Sequence, residues 1–254
     1  MSTLIICEYS AKINLSRGAS PGYINAEKPV CRAAFFHKVQ VFTQGVMIIT
    51  FEGIDGSGKS TQARELCTWL EDHGRTVLYV REPGGTTVSE RIRSLLLDPS
   101  ADMHPFTEML LFSAARAELC RKKIVPCHEA GDIVVCDRFY DSTVAYQGGG
   151  RGLADPDWLS AFQKRVAADL VPDRTYLIRV DVDTAARRLA ARGGQAPADD
   201  RMEQAGREFF KRVVDTYDRL AATEPQRFRV LDGTLPIATI QASIRADLEG
   251  LLRN

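Results

Sequence analysis

Eleven residues hold most of the chemistry legible in this chain: Phe51-Glu52-Gly53-Ile54-Asp55-Gly56-Ser57-Gly58-Lys59-Ser60-Thr61. Gly53, Gly58, Lys59 and Ser60 satisfy the spacing G-x-x-x-x-G-K-[ST]. Glycines at such positions let successive backbone N–H groups turn inward around a polyphosphate, and a helix that starts there aims its positive end at the same anion. Lys59 has the length to reach the outer phosphates, and the Ser60 hydroxyl can be offered to Mg²⁺. Gly53, Ile54, Asp55, Gly56, Ser57, Gly58, Lys59, Ser60 and Thr61 are therefore the expected cradle for a nucleotide polyphosphate.

A second constellation follows the apolar run Ile133-Val134-Val135-Cys136, which ends in Asp137-Arg138. A carboxylate at the carboxyl end of a buried strand stands where open α/β sheets bind ligands, and it can hold Mg²⁺ directly or through water. The planar guanidinium beside it suits phosphate oxygens. Arg81-Glu82-Pro83-Gly84-Gly85-Thr86 is another loop at a strand end. Phe112 and Arg116 are four residues apart, as are Thr143 and Gln147, so each pair shares a helix face. This inventory suits phosphoryl transfer, which needs cations and in-line positioning but no covalent intermediate. No Ser/His/Asp arrangement argues otherwise. A guanine-reading N/T-K-x-D signature, which a GTPase switch would need, is also missing.

The elements that must position these groups alternate strand and helix. Val46 to Phe51 is a β-branched apolar run before the glycine loop, and Gln62 to Leu70 has apolar residues at helical spacing. A helix to about His73 stops at Gly74. Strands are expected at 76–80, 133–137, 175–180 and 227–231. Helices are expected at 88–97, 105–129, 141–147 (ended by Gly148-Gly149-Gly150) and 156–168, after Asp183 as N-cap, around Phe209 to Leu220, and from near Pro236. Such alternation predicts an α/β fold with a parallel sheet covered on both faces. No internal repeat and no second domain is read after Met47.

Composition narrows the function classes. The 254 residues are 44% hydrophobic, enough for one sizeable core, and formal net charge is zero. Zero charge gives no global case for nucleic acid or an acidic membrane surface, and no apolar run is long enough to span a bilayer. The six cysteines form no C-x-x-C pair and read as reduced thiols of a cytoplasmic protein. Four scattered histidines suggest no metal site. Residues 1–46 lack sustained periodicity and carry five basic residues (Lys12, Arg17, Lys28, Arg32, Lys38) against two acids. They are expected to be a disordered extension or an over-read start, with the domain running over 47–254.

From Met47 onward the chain resembles the thymidylate kinases of the bacterial kind. The resemblance covers nearly all of those residues. It rests on the glycine loop through Gln62, on Arg81–Thr86, on Leu110-Leu-Phe-Ser-Ala-Ala-Arg-Ala-Glu118, on Asp137-Arg-Phe-Tyr-Asp-Ser-Thr-Val-Ala-Tyr-Gln-Gly148 and on Asp200-Arg-Met-Glu203. It implies a three-layer P-loop fold with a five-stranded parallel sheet, ATP as donor, dTMP as acceptor, Mg²⁺ held by Ser60 and Asp137, and a homodimer. By the same resemblance Asp55 faces the sugar 3′-hydroxyl and Pro83 shapes the base pocket. Arg93 reaches the acceptor phosphate, Phe112 stacks on thymine, and Arg116, Thr143 and Gln147 lie near the base. Lys59 and Arg138 act on the transferring group. A lid at about 192–200 should supply a further arginine, because Ile54, Asp55, Gly56 and Ser57 include none. The lid here departs from the family's more basic lids, leaving Arg192 as the first candidate and Arg201 as the second.

Overall fold

A computed structural model describes residues 47–153, 155–191, 201–202 and 205–252. All of them belong to the compact unit Val41–Asn254. The extension at 1–46, the lid at 192–200 and Arg192 lie outside the described residues.

Five strands form the sheet: β1 Met47–Glu52, β2 Val77–Arg81, β3 Ile133–Asp137, β4 Arg174–Arg179 and β5 Phe228–Asp232. All pair in parallel, in the order β2-β3-β1-β4-β5. The helices are α1 Lys59–Asp72, α2 Thr87–Leu97, α3 Pro105–Leu119, α4 Val125–Glu129, α5 Tyr140–Thr143, α6 Pro156–Val166, α7 Val182–Ala191, α8 Arg207–Thr223 and α9 Ile237–Leu252. The period of two along β1 separates the layers. Met47, Ile49 and Phe51 pack with Ala63, Leu66 and Leu70 of α1 and Ile240, Ile244 and Leu248 of α9. Ile48 points the other way, into Leu119, Ile124, Val134 and Phe139. Thr50 and Glu52, on that same side, are fully buried polar residues. No helix among the described residues is long and apolar enough to cross a membrane.

Three local readings change. The expected helix over 105–129 widens into a π turn at Cys120–Ile124 before α4. Pro126 has no N–H to give the turn before it, and the wider turn makes room for its ring. Gly148–Gly150 does not end the helix after β3; a π-helical segment, Val144–Gly150, continues through it. The glycines there serve close packing, since a Cβ on Gly150 would lie 2.5 Å from the Phe209 ring of α8. The N-cap of α7 is Asp181, not Asp183. Asp181 accepts from the Thr184 N–H and hydroxyl at 2.7 Å each, while Asp183 sits in the first turn and pairs with Arg207 at 2.8 Å.

Candidate active site

The carboxyl ends of β1, β2 and β3 converge because the register sets Phe51 beside Asp137 and Arg81 beside Asp137. β1 delivers the glycine loop, β2 the Glu82-Pro83 turn with its cis peptide, and β3 delivers Asp137-Arg138.

The loop leaves β1 at Gly53, whose φ of 138° and closeness to the Ile178 carbonyl (2.6 Å from a notional Cβ) leave no room for a side chain. α1 begins after Gly58 with no side-chain cap and no acid in its first turn. Its leading N–H groups and positive dipole end thus face the loop with no side chain capping them. Arg188 of α7 braces the loop from outside, donating to the Ser57 carbonyl at 3.1 Å and the Gly233 carbonyl at 2.8 Å.

Lys59 is buried, with Nζ 3.3 Å from Asp55 Oδ1. Burial and the nearby Arg138 charge lower its pKa, while Asp55 and Asp137 oppose that fall. Arg138 has a φ of 72°. Its Nη2 donates to Asp55 Oδ1 at 2.8 Å and to Tyr146 Oη at 2.9 Å. Its Nη1 donates to Ser142 Oγ at 3.1 Å, and its guanidinium lies 4.8 Å from the Tyr146 ring centroid. Burial alone would raise the Asp55 pKa, but Arg138 and Lys59 together hold it well below the usual carboxylate range.

Behind Arg138 stands Glu52. Oε1 accepts from the Phe139 N–H at 2.8 Å, and Oε2 accepts from Ser142 Oγ at 2.6 Å and Tyr217 Oη at 2.7 Å. Burial and neighbouring Asp141 push its pKa up to about 7. Asp141 is in turn held by a bidentate pair from Arg227, at 2.7 and 2.8 Å.

A cavity of about 190 Å³ opens from the phosphate loop between these groups. Asp55, Lys59, Ser60, Arg93, Asp137 and Arg138 are among its lining residues, as are Pro83, Phe112, Arg116, Thr143 and Gln147. These expected site residues thus share one cavity. Arg93 donates to the Pro83 carbonyl at 3.1 Å, beside Arg81 at 2.8 Å. Arg116 is buried, and its donors are all engaged by protein. Glu82 Oε2 takes Nε at 2.7 Å and Nη2 at 2.6 Å, Thr143 Oγ1 and Gln163 Oε1 take Nη1 at 2.9 and 2.6 Å, and the Phe139 carbonyl takes Nη2 at 3.1 Å. Arg116 therefore orders the pocket wall more than it offers itself to a ligand. Arg201 does not line this cavity; its Nη1 is 2.6 Å from Glu108 Oε2 and its Nε is 3.1 Å from the Leu96 carbonyl. In this conformation its charge is spent on Glu108 and not on the phosphate loop.

Sequence reasoning missed Tyr146, Ser142, Tyr217, Glu52 and Glu108. Glu52 carried a usable signal: an acid on the same strand face as Thr50, in an otherwise apolar strand. Tyr217 carried none, because a Tyr on an apolar helix face reads as core.

Among the described residues no group of three or more His, Cys, Asp or Glu is arranged to hold a metal. Mg²⁺ beside a polyphosphate needs less, taking one or two carboxylates and drawing its other oxygens from phosphate and water. Asp137 fits: Oδ2 accepts from Tyr79 at 3.3 Å, and Oδ1 is buried with no protein partner. The Ser60 hydroxyl opens on the same cavity.

Fold and site define a class: a P-loop phosphotransferase with one cavity shared by Lys59 of the glycine loop and Asp137-Arg138 at the end of β3. The comparisons narrow it. Residues 51–244 match the family model "Thymidylate kinase". The chain is 44% identical over 214 residues to a thymidylate kinase of Chlorobium chlorochromatii, covering 82% of this chain and 96% of that one. It is 45% identical over 207 residues to one from Pseudomonas savastanoi pv. phaseolicola, covering 81% and 96%. Among solved structures, a thymidylate kinase from Ehrlichia chaffeensis superposes with a TM-score of 0.63 at 34% identity, covering 80% of this chain and 98% of that chain. The chain belongs to the thymidylate kinase family. It is a nucleoside monophosphate kinase whose donor in this family is ATP.

Proposed function

We propose that this chain catalyses ATP + dTMP → ADP + dTDP by in-line phosphoryl transfer with Mg²⁺, and that residues 47–254 suffice for it. The observation that carries the reading is the shared cavity in which Lys59, Arg138 and Asp55 meet between the phosphate loop and the pocket wall. The cradle from Gly53 to Thr61 holds the donor. Lys59 and Arg138 neutralise charge growing on the transferring oxygens, where preorganised cations act without reorganisation cost. Asp55 holds both cations and accepts from the acceptor sugar hydroxyl. Arg93 binds the acceptor phosphate, Phe112 stacks on the base, and Pro83, Thr143 and Gln147 shape its edge, with Arg116 ordering the wall. Ser60 and Asp137 would hold Mg²⁺, which neutralises charge on the phosphate oxygens. A lid arginine, Arg192 before Arg201, joins the transferring group on closure.

The active form is a cytoplasmic homodimer. Leu95, Phe106, Leu110 and Trp158 support it: they are large, apolar and exposed on the adjoining helices α2, α3 and α6. Light scattering should give twice the chain mass.

The deciding assay follows ADP formation by the full chain with ATP and Mg²⁺ against dTMP, dUMP, dGMP, dCMP and thymidine. Strong turnover with dTMP, weak turnover with dUMP and none with thymidine is the expected pattern. ATP binding with no turnover on any acceptor would overturn the assignment.

A further inference from the structure

Glu108 sits in the first turns of α3 with no exposed surface. Every side-chain partner it has among the described residues is a donor. Gln147 Nε2 is 2.8 Å from Oε1, Arg151 reaches both oxygens at 3.2 and 3.0 Å, and Arg201 Nη1 is 2.6 Å from Oε2. Burial opposes ionisation, but these donors outweigh it and hold the carboxyl below its ordinary pKa. The group is therefore an acceptor only.

That has a consequence for Gln147. A side-chain amide packed on a carboxylate must turn its NH₂ inward, because its carbonyl would otherwise meet the carboxylate oxygen to oxygen. Gln147 also lines the acceptor cavity, so the end left to a ligand is the carbonyl. A carbonyl accepts, and it reads a base that presents an N–H. Thymine and uracil carry N–H at ring position 3; cytosine carries a bare acceptor nitrogen there. Thr143, one turn away, is polarised the opposite way: Arg116 donates to its Oγ1, leaving the O–H to be donated. Acceptor and donor match the N–H and carbonyl of thymine, whereas the Gln147 carbonyl meets cytosine's bare ring nitrogen acceptor to acceptor.

We propose that Glu108 is a positioning residue for base specificity: by holding the Gln147 amide nitrogen, it fixes the amide carbonyl toward the acceptor base and so refuses cytosine. The inference rests on the reading of this cavity as the dTMP site.

The test uses the full chain, with calorimetric binding of dTMP and dCMP and with kcat and KM for both. In E108Q the new amide can donate to the Gln147 carbonyl and release its orientation. KM for dTMP should rise about tenfold, the size of one lost hydrogen bond, with kcat changed less than about twofold. The dTMP-to-dCMP ratio of kcat/KM should fall about tenfold or more. In a Q147L background, E108Q should change the ratio no further. E108D keeps the charge that faces Arg151 and Arg201 but shortens the reach to Gln147. It should lose the same discrimination, and it serves if E108Q does not fold. A folded E108Q or E108D with a lowered Tm and an unchanged ratio makes Glu108 a structural anchor and overturns the proposal. A further loss of ratio in the Q147L background does the same. Wild-type protein that binds dTMP over dCMP without turning it over sinks the kinase reading and leaves this one standing, whereas equal binding of the two removes it.

Discussion

Arg138 Nη2 lies 2.8 Å from Asp55 Oδ1, across 83 residues of sequence. The same oxygen is 3.3 Å from Lys59 Nζ. One carboxylate thus tethers two cations that would otherwise repel across the mouth of the glycine loop. Arg138 is held further by Tyr146 and Ser142, and Ser142 by Glu52. The chain of contacts runs from a buried strand end to the reacting centre.

Removing that guanidinium should cost rate more than fold. R138M is expected to lower kcat by ~10²–10³, the usual effect of deleting one preorganised donor to developing charge. R138K should recover little of it, because one ammonium cannot span Asp55, Tyr146 and a phosphate together. Steady-state kcat with ATP and dTMP, beside an unchanged unfolding midpoint, checks this.

The metal site makes a separate forecast. Chelation of divalent cations should abolish turnover while leaving the fold intact, since among the described residues no group of three or more His, Cys, Asp or Glu is arranged to hold a structural ion. D137N keeps the shape of Asp137 but weakens its charge, so the Mg²⁺ concentration for half-maximal rate should rise about tenfold or more. Titration of rate against Mg²⁺ measures it. An unchanged Mg²⁺ curve would remove Asp137 from the metal shell.

Glu52 predicts a pH dependence of stability. Its pKa rises from 4.5 to about 7 on folding, through burial and then Asp141. Between those values the folded state holds a proton that the unfolded state has released, so stability falls as pH climbs from about 4.5 toward 7. Buried Glu82, whose pKa is also raised, contributes in the same direction. Urea unfolding across this window should show a declining midpoint, and E52Q, which cannot ionise, should flatten the decline.

Arg116 is expected to matter for stability as well as substrate. R116M would strand the Glu82 carboxylate in a dry wall, at a cost of about 3–5 kcal/mol. The double variant R116M/E82Q removes the stranded charge and should recover part of that loss. Denaturant unfolding of the two variants separates lost pairing from lost packing.

Much of this protein was open to reading before any coordinates. The glycine loop, the alternation of strand and helix, and the acid and arginine ending β3 are local patterns. Local rules govern them: φ freedom at Gly53, the period of two in β1, and the apolar runs of strands buried on both faces. Where local chemistry competed with packing, the reading failed. Gly148–Gly150 reads as a helix stop, yet α8 packs so closely at Gly149 and Gly150 that a Cβ would run into Thr216 and Phe209. Asp183 reads as a cap, yet Asp181 lies where a side chain can reach the Thr184 N–H.

What only the tertiary structure decided is which polar groups face one another. Glu52, Ser142 and Tyr217 are far apart in sequence and meet because α5 and α8 bring Ser142 and Tyr217 to the end of β1, where Glu52 stands. Glu108 and Gln147 meet because α3 lies against the helical segment that follows β3. Sequence by itself determined where the glycine loop stands and the family it points to, since a phosphate cradle is built from consecutive backbone groups. The direction in which each buried amide and carboxyl points is a property of pairs, settled only when the elements that carry them pack together.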